Sequence, residues 1–304
     1  MPDFKGLAAL ALTCLVLPCA CACSEEPAGT DFIRFAKSDA QSGALETAIV
    51  SYENADRCRV DLVAAVHLAD PDYYDTLNLL FSGYDALLYE LVAPEGTLPE
   101  PNADDRSILS LFQRNMCRAL ELSFQLDAID YTAPNFVHAD LTPTGLARVM
   151  EERGETFFSI IMRVLMAQFS AMQEGMGGHL THAALFDALR HDDSAARLKY
   201  LLAREFEGIE AMFAGLEEGD DGKGSILVGE RNKAAIAVLE REIGKGKKKM
   251  GIFYGSAHMP DMEVRLHELG FKKIRHGWCP AWQIELSSPM GEPAKKSPTT
   301  KKGN

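Results

Sequence analysis

His67 and His258 stand in the same local context, and that repetition is the first chemical signal in the sequence. His67 closes the run Val60-Asp-Leu-Val-Ala-Ala-Val-His, and His258 closes Met250-Gly-Ile-Phe-Tyr-Gly-Ser-Ala-His. Each follows an apolar stretch, lies three positions after a small residue (Ala64, Gly255), and precedes an amphipathic helical pattern. Imidazole is the commonest metal-ligating side chain, and two of them delivered by equivalent elements can converge on one cation. Glu90 adds a carboxylate inside Leu87-Leu-Tyr-Glu-Leu-Val, where a buried charge is costly unless it is paired or metal-bound. His67, His258 and Glu90 are therefore the expected ligands of a divalent metal. Taken singly, each also fits a plainer role, as a helix-capping histidine or a glutamate reaching solvent.

Gly229-Glu-Arg-Asn is the third chemical element, placed between a predicted strand and a predicted helix. Glu230 and Arg231 are expected at the same strand-end surface, with Arg231 holding a carboxylate or an oxyanion. Glu230 equally suits the positive end of a helix, with Arg231 as its partner. His138 and Asp140, in Phe136-Val-His-Ala-Asp-Leu, are candidate binding residues that fit a structural role as well.

The elements that must carry these residues follow from periodicity. Alternating β-branched runs at 47–52 and 59–66 predict a hairpin, helical spacing predicts 73–81, and 85–92 reads as a strand. Helical patterns follow at 107–126, 144–153, 155–173, 182–190 and 195–216. Residues 157–172 are apolar enough to resemble a membrane span, but Arg163 and Gln168 interrupt them, which favours a buried helix. A strand at 225–228, a helix at 230–243, a strand at 250–254, a helix at 261–269 and strands at 271–275 and 281–286 complete the pattern. The fold class is α/β (α+β): a central mixed sheet built from two similar strand-helix halves, with a helical cap inserted at about 107–216. Ligands of such sheets gather at the carboxyl ends of the strands, where both histidines fall.

Composition narrows the partners. The 304 residues carry a net charge of -13, which argues against a nucleic-acid surface. Residues 1–23 read as a signal peptide, with a basic start, a short apolar run and small residues around Cys19, Cys21 and Cys23. A bacterial lipoprotein signal ends this way, with Cys23 as the lipidated residue; a plainly cleaved signal and an uncleaved anchor fit the same run. The chain is thus expected to be exported to the cell envelope, periplasmic or tied to a membrane by a lipid anchor. Residues 24–43 read as linker, 44–286 as the domain and 287–304 as a disordered tail. Outside the leader, Cys58, Cys117 and Cys279 are an odd, scattered set, which excludes a zinc ribbon and a disulfide framework.

Together the stretches around His67 and Glu90, the Gly229-Glu-Arg-Asn element and Tyr254-Gly-Ser-Ala-His-Met-Pro resemble the TraB/PrgY/GumN family, over about residues 45–286. That family is related to the TIKI metalloproteases and, more distantly, to erythromycin esterases and ChaN-like proteins. Its paired Gly-x-x-His motifs and glutamate fall on His67, His258 and Glu90, and its Glu-Arg-Asn element on Glu230, Arg231 and Asn232. Ala64 replaces the first motif glycine. The resemblance implies a metal-dependent hydrolase acting on peptides or another small substrate, with Zn, Mn, Co or Fe. Glu90 and Glu230 would share the roles of general base and third ligand. Arg231 would stabilise an oxyanion, and Asn232 would support the ligands from behind. The rival reading is a non-catalytic, pheromone-restraining type of protein that binds a peptide or a haem-like ligand in the same cleft.

Overall fold

In the computed structural model, which describes residues 31–94, 96–98, 115–154, 181–217 and 226–291, the two β-branched runs form the expected hairpin. Its strands are β2 (Ser42–Glu53) and β3 (Arg59–Ala65). Asn54 closes the turn, its Oδ1 accepting the N–H groups of Asp56 and Cys58 at 3.0 and 2.9 Å, while Arg57 takes a left-handed φ of 59°. From β3 the sheet continues in parallel through β8 (Lys249–Gly255), β5 (Ala86–Tyr89) and β7 (Phe136–His138). On the other side, β9 (Lys272–Glu285) runs antiparallel along the whole of β2. Strand β1 (Ile33–Lys37) shares the opposite edge of β2 with β3. The short strands β4 (Leu68–Ala69) and β6 (Ser123–Phe124) form a separate ribbon. The fold is α/β with a central mixed sheet.

The sheet is buried on both faces, as parallel strands require. Val63, Leu87 and Phe253 point to one core, Leu62, Leu88 and Ile252 to the other. Helices α1 (Pro71–Phe81) and α5 (Ser194–Glu217) supply Tyr73, Tyr74, Leu77, Phe81 and Tyr200 to the first. Helices α6 (Arg231–Gly244) and α7 (Met259–Glu268) supply Ala235, Leu239, Met262 and Leu266 to the second. Packing at Gly251 in β8 is close enough that a Cβ there would lie 2.7 Å from both Leu87 Cδ1 and the Tyr84 ring.

Several expectations need correction. The segment read as linker contains β1, with Phe32 fully buried; its polar composition concealed an alternation that pairs with residues 43–47 of β2. The strand expected at 225–228 is a π-helical turn over Ile226–Glu230 leading into α6. Three apolar residues suit either form, and both edges of β8 are already taken by β3 and β5. The two closing strands are one, β9, in which Ile274 and Ala281 are extra bulged residues opposite β2. Pro280 is tolerated because β9 has no second strand partner among the described residues.

Nor is the helical insertion purely a cap. Helix α5 packs on β1 and β9 and also reaches the turn carrying His258. Helices α3 (Pro143–Glu152) and α4 (His182–Ala188) pack on the 226–230 turn and on α5. Residues 123–126, expected as the end of a helix, instead form β6 and the start of the one-turn α2 (Gln125–Ala128). The tail is docked at its start, since Ser287 donates through its N–H and hydroxyl to Asp193 and fully buried Arg197 donates to Ser288. The leader with Cys23 and the helix expected at 155–173 lie outside the described residues. Among the described residues Cys58, Cys117 and Cys279 are free thiols, and no helix is long and apolar enough to cross a membrane.

Candidate active site

Four side chains meet at the carboxyl ends of the parallel strands. Glu90 leaves β5 with its N–H still bonded to the Phe253 carbonyl of β8. Asp140 lies two residues beyond β7, its side chain 0% exposed. Arg231 opens α6, and His258 ends the 3-10 turn Ser256–His258 that follows β8. Arg231 joins them: Nε donates to Asp140 Oδ1 at 2.9 Å, and Nη2 donates both to Asp140 Oδ2 and, at 2.7 Å, to Glu90 Oε1. Gly255 N–H donates to the second Glu90 oxygen at 2.8 Å. Arg231 Nη1, 3.5 Å from His258 Nε2, is the donor not committed to a carboxylate.

Asn232 settles the state of His258. Its Nδ2 donates to the His258 carbonyl and to Asp261 Oδ2, at 2.9 and 2.8 Å, and both atoms can only accept. Its Oδ1 must then accept from His258 Nδ1, 2.7 Å away, so the proton is on Nδ1 and Nε2 keeps its lone pair. Burial, reinforced by the Arg231 charge, brings the His258 pKa down to about 4 against the pull of Glu90 and Asp140. Burial works to raise the pKa of Glu90, but with His258 neutral the Arg231 charge and the Gly255 N–H still hold it below the usual carboxylate range. Near neutral pH the cluster therefore holds two carboxylates, one guanidinium and a neutral imidazole, one negative charge in excess. A largely buried excess charge of this kind calls for a further cation.

His67 lies just past β3, exposed, with Nδ1 3.1 Å from Gln125 Oε1. The two motif copies are not superposable. The parallel register sets Ala65, not Ala64, beside Gly255, and β4 follows His67 where a 3-10 turn carries His258. The Ala64 methyl is fully buried in the core under α6 and α7, and its carbonyl accepts from the Tyr73 hydroxyl, so packing absorbs the missing glycine.

Other expected members are placed elsewhere. Glu230 pairs with Arg153, just past α3, and with Lys233, so it is turned away from the cluster. His138 contacts the Leu91 carbonyl at 2.6 Å and takes no part in the Arg231 network. Gln125, 5% exposed, was not singled out by sequence, because one amide in a stretch with helical spacing carries no signal. Among the described residues no three His, Cys, Asp or Glu side chains are gathered so as to hold a metal ion. The donor chemistry itself suits a divalent cation: an ionised carboxylate, a neutral imidazole with Nε2 uncommitted to a proton, and an excess negative charge. No family model, curated protein or solved structure matches the chain.

Proposed function

We propose that the protein is an exported, metal-dependent hydrolase of the TraB/PrgY/GumN type, acting on peptides and held to a membrane through Cys23. The observation that carries this reading is the Arg231 cluster, two carboxylates against one guanidinium beside a neutral His258, at the end of the sheet where ligands bind. Glu90, His258 and His67 would hold the divalent ion (Zn, Mn, Co or Fe), which supplies a water of lowered pKa when bound. Held ionised by Arg231 and the Gly255 N–H, Glu90 suits the ligand role better than that of base. Glu230, neutralised by Arg153 and Lys233, ties α3 to the site-bearing helix. Asp140 and Glu90 hold the guanidinium so that Nη1 stays available to a developing oxyanion.

The test is incubation of the purified protein with short peptides, with and without Mn, Co, Zn or Fe, read by mass spectrometry. Cleavage that depends on the cation and falls at least tenfold in Arg231→Lys is the expected result, since one ammonium cannot span both carboxylates. Peptide recovered intact with every cation would overturn turnover and leave the binding-protein reading.

A further inference from the structure

We propose that Gln125 is a positioning residue that holds His67 in the Nδ1–H tautomer, as Asn232 holds His258, so that both imidazoles keep Nε2 as a lone-pair donor. The importance of this for catalysis rests on the function proposed above; the tautomer itself does not. Gln125 grips His67 at two points: its backbone N–H donates to the His67 carbonyl at 2.9 Å, and its Oε1 lies 3.1 Å from Nδ1. Asn232 does the same for His258, through its Nδ2 to the carbonyl and its Oδ1 to Nδ1. Each amide is buried, and each has its NH2 group turned to a further partner, Tyr131 Oη for Gln125 and Asp261 for Asn232.

The two clamps come from unrelated parts of the chain, α2 and α6, yet act on the two histidines of the repeated motif. The remaining described histidines with ring hydrogen bonds meet main-chain carbonyls and not side-chain amides, and His267 shares the Nδ1–H form. His138 meets the Leu91 carbonyl through Nε2, and His267 meets the Phe271 carbonyl through Nδ1. A free neutral imidazole favours the Nε2–H form, so two Nδ1–H rings have to be imposed by their surroundings. Metal-ligating histidines are commonly oriented in this way, by a hydrogen bond at the nitrogen that does not bind.

Long-range proton–nitrogen spectra of the full chain, labelled with 15N-histidine and recorded roughly two pH units above the ordinary imidazole pKa, read the tautomer directly. In the wild type, Nδ1 of His67 and His258 should give the protonated-nitrogen signal and Nε2 the unprotonated one. Gln125→Leu should shift His67 alone toward the Nε2–H form, and Gln125→Glu, which keeps an acceptor, should retain Nδ1–H. The Tyr131 hydroxyl can give or take a hydrogen bond, so a reversed Gln125 amide would place the His67 proton on Nε2. That signal in the wild type, or an unchanged His67 in Gln125→Leu, overturns the assignment. Titration with Zn2+ alone should show affinity about 10–100-fold weaker in Gln125→Leu. A wild type that binds no Zn2+ and cleaves no peptide defeats the proposed function, while the spectra still decide the role of Gln125.

Discussion

Asp140 has no exposed side-chain surface, and its carboxylate takes two hydrogen bonds from Arg231, itself 13% exposed. Removing one member of a buried, hydrogen-bonded pair leaves the other charge uncompensated, at a cost of about 3–5 kcal/mol. Asp140→Ala is expected to lose that much stability, measured by urea denaturation. Glu230→Ala is the contrast at the same scale. Its carboxylate is 20% exposed, against none for Asp140, and one of its two partners, Lys233, is 52% exposed, so solvent screening should make its loss smaller than that of Asp140. Equal losses in the two variants would mean that the Asp140–Arg231 pair is not the electrostatic centre of the site.

Helix α5 and strand β8 show how single elements depend on close local constraints. The Leu87 and Tyr84 side chains leave no room for a methyl at Gly251, so Gly251→Ala should cost about 1–3 kcal/mol through overpacking. A shift of the urea midpoint without a change of slope would confirm it; an unchanged midpoint would count against so tight a fit. At the start of α5, Asp193 accepts from Arg197, Ser287 N–H and Ser287 Oγ. Burial opposes this, but the Ser287 N–H, Arg197 and the Ser287 hydroxyl prevail and bring the Asp193 pKa down to about 2. A carboxyl whose folded pKa is depressed contributes stability above its unfolded value, about 3.9, and loses it as pH falls through the folded one. The stability difference between wild type and Asp193→Asn should therefore be constant above about pH 5 and shrink steadily from there toward pH 2. A difference that does not vary with pH would exclude the charge as its source.

For the described domain as a whole, both cores are built on one sheet, so no strand melts without opening one of them. The chain's two tryptophans, Trp278 and Trp282, both lie in β9, and Trp282 is packed in the core beside Ala281 and Ile284. Tryptophan fluorescence thus reports the edge strand, and far-ultraviolet circular dichroism the whole. The two urea transitions are expected to coincide, as they do when unfolding is all-or-none. An earlier fluorescence transition would show β9 detaching from β2 before the rest unfolds.

Sequence alone determined what local periodicity can carry. The hairpin of β2 and β3, helix α1 with Leu77 and Phe81 inward, and the β8–α7 unit follow from spacings of two and 3.6 residues that have to bury one face. Glu90 and His258 were also legible as strand-end residues, because parallel strands present their carboxyl ends on one side of the sheet, whereas Arg231 reaches the same place from a π-helical turn. Tertiary structure decided everything that depends on a distant partner. The continuity of β9 across Pro280 needed the bulges opposite β2, and the turning of Glu230 toward Arg153 needed the approach of α3. Asp140 became the buried anchor of the site through Arg231, 91 positions away, and Gln125 acquired its hold on His67 across 58 positions. Hydrogen-bond partners and tautomers are set by which groups the folded chain brings within about 3 Å of each other, and no periodicity in the sequence encodes that.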